Sequence, residues 1–379
     1  MVLFVHNRYR TSGGEERVVE DLLRLVREQL GEEAELLVRD SAALGRARAA
    51  AGLIGGGLAP REVAGAVRLS GARVVHAHNL HPAFGWRALA AARAAGARVI
   101  LHLHQYRLVC AIGVGFTRGA PCTRCHGRNT LPGVRLNCRG SLPEALAYGA
   151  ALAIWQRRLI AQADAVIVPS VFAGERLREL GARLPSGRVH VLAPPVTLAE
   201  QPREASEARA PFALLAARLS PEKGVGVAID ACRSVRMPLL IAGEGPERSA
   251  LEQRARGADV RFLGRVDDTE LARLRSQAAI ALAPSLAEET FGLAAAEAMA
   301  AGLPVAASRV GALPELLPDD ALVPAGDAGA LADAITRLAG DRVAGERGRE
   351  RIRARCAPEV IAGSLARIYA GRDPRAAST

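Results

Sequence analysis

Short apolar runs alternate with longer amphipathic stretches along this chain, and they do so in two series. Val2–His6, Leu36–Arg39, Arg73–His78, Arg98–His102, Ala165–Pro169 and Arg188–Leu192 read as strands of the first series. Phe212–Ala216, Leu239–Ala242, Val260–Leu263, Ile280–Ala283 and Pro304–Ala307 read as strands of the second. Helical patterns lie between them: Val18, Val19, Leu22, Leu23, Val26 and Leu30 share one face after Gly13–Gly14. Parallel neighbours need long crossovers, so a repeated strand–helix order predicts parallel sheets with helices on both faces. The stretch 193–211, rich in Pro, Ala and Glu and without period, reads as a linker. At 379 residues the chain exceeds one ordinary core. The predicted fold is therefore α/β, with two Rossmann-like domains, 1–195 and 211–355, whose parallel sheets face a cleft. A last helix within 356–379 carries Val360, Ile361, Leu365, Ile368 and Tyr369. The glycine-rich stretch 50–60 reads as a mobile loop.

Charge is unevenly placed. The net charge is +11, and residues 1–200 hold 26 Arg against 15 acids. Residues 63–143 contain 11 Arg and no Asp or Glu. Such a half suits an anionic partner: a phosphate-bearing substrate, a lipid headgroup or nucleic acid. A solvated basic face without a partner is the plainer alternative. The start is not a secretion signal and no uncharged apolar run reaches about 18 residues, so a cytoplasmic protein without a membrane span is expected.

The chain writes Arg at 49 of its 50 basic positions and Lys once, at Lys223. Lys223 and Arg218 follow the strand 212–216, where open α/β sheets bind ligands. A guanidinium grips phosphate with a fork and an ammonium acts as a compact charge, so the pair suits a diphosphate. Taken alone they are equally two surface cations. A second cluster, 284–308, carries Glu289 in a loop and Glu297 in the helix "FGLAAAEAMAAG". If the helix starts near Phe291, Glu297 lies two turns in, about 10 Å along the axis. Glu289 would then meet a sugar hydroxyl and Glu297 the two hydroxyls of a ribose. N–H groups near Phe291, Gly292 and Leu293 would face a phosphate or sugar, although acids in a first helical turn also favour the dipole unaided. Gly13 and Gly14 let backbone approach a phosphate but match no dinucleotide fingerprint.

Together "GGEERVV", "ARLSPEKG", "AGEGPE", "FLGRV" and "EETFGLAAAEAMAAGLPV" resemble the retaining glycosyltransferases of family 4, of GT-B fold. The resemblance implies a nucleotide-sugar donor held mainly by the second domain, with no metal at the reaction centre and no cofactor required. Carried over by motif, Arg218 and Lys223 would bind the diphosphate, Glu297 the ribose, and Glu289 would sit by the transferred sugar. Gly14 would pack against phosphates or sugar, Val266 beside the base, and His104 at the reaction centre, bonding the sugar or orienting the acceptor. His76, His78 and His81 sit at a strand end without an implied role. The resemblance also implies a last helix that crosses back to the first domain. A phosphorylase or sugar-nucleotide epimerase on the same architecture would share these residues, and a scaffold that kept the fold would not need them. A dehydrogenase lacks its GxGxxG here.

Four of six cysteines, Cys110, Cys122, Cys125 and Cys138, fall in the segment 106–142. In a cytosolic chain such clustering favours metal over disulfides, and four thiolates make a closed structural zinc site. Free thiols or a redox pair are the alternatives. His126, next to Cys125, is a poor co-ligand, and Cys232 and Cys356 read as buried singles. The segment also carries Arg107, Arg118, Arg124, Arg128, Arg135 and Arg139, which suits a lid over an anionic or membrane-linked acceptor and a peripheral contact with the inner membrane face. A zinc-containing nucleic-acid-binding protein fits the charge too, but the basic stretch lacks interleaved aromatics.

Overall fold

The computed structural model describes residues 1–9, 13–198 and 211–371. The chain divides into two units, one of 1–115, 122–195 and the segment from Pro358 on, the other of 116–121 and 196–357. Most of the linker expected at 193–211 lies outside the described residues.

The first unit is built on strands β1 (Val2–Arg8), β2 (Ala34–Asp40), β3 (Val74–Ala77) and β4 (Arg98–His102). A two-residue pair, β5 (Phe116–Thr117) and β6 (Ala120–Pro121), forms a small antiparallel hairpin. The sheet is completed by β7 (Ala165–Val168) and β8 (Val189–Val191), in the parallel order β2-β1-β3-β4-β7-β8. Helices cover both faces, so β1, β3 and β7 are buried along almost their whole length and read as continuous apolar runs. The helix Pro358–Tyr369 belongs to this unit. It buries Ile361, Leu365, Ile368 and Tyr369, and its Ile368 carbonyl accepts from Arg98 Nε at 3.2 Å.

The second unit holds β9 (Ala213–Ala216), β10 (Leu239–Ala242), β11 (Val260–Gly264), β12 (Ile280–Ala283), β13 (Val305–Ser308) and β14 (Leu322–Val323). Their order is β11-β10-β9-β12-β13-β14, again all parallel. Strand order reverses between β9 and β12. The carboxyl ends of the strands at such a reversal are the place where open parallel sheets take ligands.

Two expectations are corrected. The stretch 50–60 is not a plain loop: Arg46–Gly55 is helical and ends at Gly56, φ +72°. Its glycines serve close packing, since a side chain at Gly57 would run into the Phe84 carbonyl and one at Gly56 into the Trp86 indole. The helix expected from Phe291 starts at Leu293, because Gly292 takes φ +97° with Leu313 packed where a Cβ would stand. Glu297 is thus one turn into the helix, about 6 Å from its start rather than two turns.

Candidate functional site

The loops at the reversal of the second sheet carry Arg218, Lys223 and Glu289. After β9 the chain passes Arg218 and makes a single 3₁₀ turn, Pro221–Lys223, before Gly224 at φ +62° starts the helix Val225–Ser234. Gly224 is required there, since a Cβ would strike the Pro284 carbonyl at the end of β12. The Glu222 carbonyl accepts from the N–H groups of Leu286 and Ala287 at 2.8 and 3.2 Å, so the two loops are stitched through backbone.

Their charged side chains are paired with each other. Lys223 Nζ donates to Glu289 Oε1 at 2.7 Å, and the Ser285 hydroxyl donates to the same oxygen at 2.6 Å. Burial alone would push the Glu289 carboxyl up, but the Lys223 ammonium and the Ser285 hydroxyl outweigh it and hold it below the usual carboxylate range. Arg218 Nη2 donates to Glu222 Oε1 at 2.5 Å, and Ser220 Oγ donates to that oxygen at 2.7 Å. Burial opposes ionisation of Glu222, and the bonds from Ser220, the backbone and Arg218 prevail and lower its carboxyl. Glu297 is ion-paired with Arg275 of the helix Asp268–Gln277, and both side chains are nearly buried. A carboxylate has about four lone-pair positions, so Glu297 can hold Arg275 and still accept from two hydroxyls.

Phe291 is buried, and Gly292 caps the helix Leu293–Ala300 without a side-chain bond, which leaves its first-turn N–H groups without a cap side chain. Val266 is partly buried in the loop after β11. Glu222, Ser285 and Arg275 were not singled out from the sequence. Only the Glu of "SPEKG" had a local signal, its place between Arg218 and Lys223.

In the first unit the carboxyl ends of β1, β3 and β4 converge on histidines. His78 Nδ1 lies 2.8 Å from His104 Nε2, and His76 Nε2 lies 3.1 Å from His102 Nδ1. His76 Nδ1 is 2.7 Å from the Tyr369 hydroxyl. Burial pushes His104 and His76 down to about 3 and His6 down to about 4, so these rings are neutral at physiological pH. His81 stands apart, its ring centroid 6.4 Å from that of Tyr148. Gly13 and Gly14 open the helix Gly14–Glu28. Glu16 accepts from the N–H groups of Gly13 at 2.8 Å and Tyr9 at 3.1 Å, while Glu15 accepts from the Tyr9 hydroxyl at 2.7 Å and Gln105 Nε2 at 2.9 Å. Arg107 stacks over the Tyr9 ring at 4.6 Å. The glycine loop is thereby tied to the segment just beyond His104, through Tyr9, Glu15, Gln105 and Arg107.

The four cysteines lie in the segment that follows His104. Among the described residues, the group of three or more metal-capable side chains with ligand atoms within 4.8 Å of one another is His76, His78 and His102, and Cys110, Cys122, Cys125 and Cys138 form no such group. All four are free. They are near enough to influence each other: burial first, then Cys110, Cys138 and Cys122, push the Cys125 thiol up to about 11. Cys232 and Cys356 are buried, as the sequence suggests.

Residues 2–195 match the glycosyl transferase 4-like domain family, and residues 210–341 match the family of glycosyl transferases group 1. A phosphatidyl-myo-inositol mannosyltransferase of Mycobacterium leprae is 40% identical over 163 residues, 39% of this chain and 43% of the relative. A D-inositol 3-phosphate glycosyltransferase of Saccharomonospora viridis is 32% identical over 218 residues, covering 49% and 50%. These curated relatives are thus matched over about half of their length or less. Among solved structures, the sucrose-phosphate synthase from Thermosynechococcus elongatus superposes with a TM-score of 0.70 at 21% identity, covering 97% of this chain and 98% of that one. Anabaena HepE in complex with UDP and glucose gives a TM-score of 0.64 at 18% identity, covering 97% and 99%.

Proposed function

The chain belongs to the glycosyl transferase 4-like family, and on that footing we propose that it is a retaining glycosyltransferase using a nucleoside-diphosphate sugar. The observation that carries the reading is the meeting of Arg218, Lys223 and Glu289 in the loops at the reversal point of the second sheet. As the sugar leaves, negative charge grows on the departing diphosphate. Two fixed cations lower the energy of that charge, and they are already oriented before the donor arrives. On binding, the diphosphate competes with Glu222 for Arg218 and with Glu289 for Lys223, which turns Glu289 toward the sugar hydroxyls. Glu297 receives the ribose while keeping Arg275. The first-turn N–H groups of the helix Leu293–Ala300 add donors for sugar or phosphate. Same-face attack, with the leaving phosphate taking the acceptor's proton, needs no side-chain base. His104, neutral and backed by His78, then orients the acceptor.

The acceptor is proposed to be lipid-linked and anionic, reached from a membrane surface. No helix among the described residues is long and apolar enough to cross a membrane. The helix Leu142–Ala161 nevertheless exposes Leu142, Leu146, Ala150 and Ile154 at four-residue spacing, followed by exposed Arg157 and Arg158. Exposed Arg124, Arg128 and Arg135 lie in the same unit with exposed Leu131. Apolar side chains beside arginines suit a bilayer interface with acidic headgroups. The relatives named for phosphatidylinositol act on such a lipid.

The test is a panel of UDP-, GDP- and ADP-sugars incubated with the full chain and phosphatidylinositol vesicles. One donor should release nucleoside diphosphate only when vesicles are present, and the product should keep the donor's anomeric configuration. Formation of sugar 1-phosphate from an added glycoside and inorganic phosphate would mark a phosphorylase instead. No turnover with any donor, and no nucleotide binding, would remove the proposal.

A further inference from the structure

We propose that His76, His78 and His102 form a binding site for one transition-metal ion of the zinc class, inside the first unit and separate from the cysteines. The three residues come from the carboxyl ends of adjacent parallel strands, β3 and β4, and each offers one ring nitrogen within 4.8 Å of the other two. All three are almost wholly buried, at 0%, 3% and 2% exposure. Zinc holds imidazole nitrogen at about 2.0–2.1 Å, so two nitrogens on one tetrahedral ion stand about 3.3 Å apart. His76 Nε2 and His102 Nδ1 are already 3.1 Å apart.

What remains around the cluster points the same way. His78 Nε2 is buried without a hydrogen-bond partner, and so are both ring nitrogens of His6, which is 1% exposed. Two further imidazoles adjoin the three: the His104 ring, 4.3 Å from that of His102 and 5.1 Å from that of His78, and the His6 ring, 6.2 Å from that of His78. Buried polar nitrogens without partners are costly, and five imidazoles on one side of a sheet are an unusual concentration of them. A metal takes the lone pairs that protein groups leave unused.

Outer contacts that orient metal-bound histidines are present too. The Tyr369 hydroxyl, 2.7 Å from His76 Nδ1, can accept the Nδ1 proton and leave Nε2 free to ligate. His104 Nε2, 2.8 Å from His78 Nδ1, can do the same for His78. That arrangement would put the His104 proton on Nδ1, so the metal would also fix the tautomer of His104. Glu16 lies 3.9 Å from Nε2 of His6, which is outside the group of three. A nitrogen-only set excludes the oxygen-seeking Mg²⁺ and Ca²⁺ and suits Zn²⁺, Co²⁺ or Ni²⁺.

The test uses the full chain without a metal-affinity tag, in which Cys110, Cys122, Cys125 and Cys138 are all changed to Ser. This chain should bind about one equivalent of Co²⁺ with a visible absorption band and no thiolate charge-transfer band. Zn²⁺ should displace the Co²⁺. Tyr369→Phe should weaken Co²⁺ binding about tenfold, as loss of an outer-shell partner does, with its far-UV spectrum unchanged. His102→Asn should abolish binding, and if it does not fold, His78→Gln provides the same reading. Absence of Co²⁺ uptake at 10-fold excess over about micromolar protein would overturn the site. So would uptake that survives His102→Asn and His78→Gln, or uptake that vanishes with the cysteines.

Discussion

Lys223 and Glu289 form a pair whose two halves behave differently when separated. The Glu289 carboxyl lies below its ordinary range because Lys223 and Ser285 outweigh burial. A lowered carboxyl stabilises the fold above its unfolded pKa, about 4.3, and that contribution is lost as pH falls through the folded value. With Lys223→Ala the cation is gone and burial dominates, so the carboxyl should move above its ordinary range. The variant should lose about 2 kcal/mol at pH 7 and should recover part of that difference as pH falls from 7 toward 5. Melting curves of both proteins across this range decide the matter; parallel pH profiles would remove the pairing from the account. The variant should also lose most of its thermal shift with nucleoside diphosphate. Glu297 calls for a different substitution. Glu297→Ala would leave Arg275 buried and uncompensated, which costs about 3–5 kcal/mol whether or not a ribose binds there. Arg275→Leu with Glu297→Gln removes the ion pair from both sides, so weaker nucleoside binding in a stable double variant would isolate the ribose contact. These partners explain what was legible at this scale. Lys223 stands out in sequence because it is the only lysine, whereas Arg275 is one arginine among 49 and is identified only by the fold.

At the scale of elements, the sequence located strands well where they are buried on both faces. β1, β4, β10 and β12 are continuous apolar runs because helices cover both sides of the sheets. β14 escaped because two residues carry no period, and the helix Arg46–Gly55 escaped because its glycines speak against helix, although Gly52 is there to pack against the Pro82 carbonyl. The start of the helix bearing Glu297 was misplaced for a related reason, since the left-handed turn at Gly292 depends on Leu313, which is remote in sequence. Glycines in the second unit give a paired prediction. Gly311 and Gly302 have φ of +60° and +71°. A Cβ at Gly311 would enter the backbone of Glu288 and Glu289, while nothing stands within 4 Å of one at Gly302. Gly302→Ala should therefore cost only the left-handed strain of about 1–2 kcal/mol. Gly311→Ala adds a backbone clash, should cost roughly twice as much or more, and should displace Glu289. Denaturant unfolding of the two variants, with diphosphate affinity as a second readout, separates strain from clash; equal costs would show that the loop yields freely.

Over the whole molecule, the last helix and the charge division act on the same unit. Ile361, Leu365 and Ile368 are buried in the first unit, and Tyr369 closes over His76. Burying such side chains is worth about 1.5–3 kcal/mol each, a sum comparable to the net stability of a domain. Ending the chain at Ala357 should therefore unfold the first unit selectively, and hydrogen exchange should locate lost protection in β1, β3 and β4 while β9 and β12 stay protected. The charge division supplies a separate test of the proposed acceptor. The net charge of +11 resides in residues 1–200, the remainder being balanced, so attraction to an acidic bilayer should come from the unit that exposes Leu142, Leu146 and Ile154. Each basic side chain near an anionic surface contributes about 1 kcal/mol, and that contribution decays within a Debye length of about 8–10 Å. Binding to phosphatidylinositol-containing vesicles should thus fall steeply between low and physiological salt, and neutral vesicles should bind weakly at every salt concentration. Leu146→Asp with Ile154→Asp should lower binding at both salt levels, because it removes apolar insertion and adds repulsion, while Arg157→Gln with Arg158→Gln should lower it mainly at low salt. Donor affinity, which the proposed function assigns to the second unit, should stay unchanged in both variants. Vesicle binding indifferent to salt and to both substitutions would mean that this face does not meet a membrane, and the lipid acceptor would lose its support.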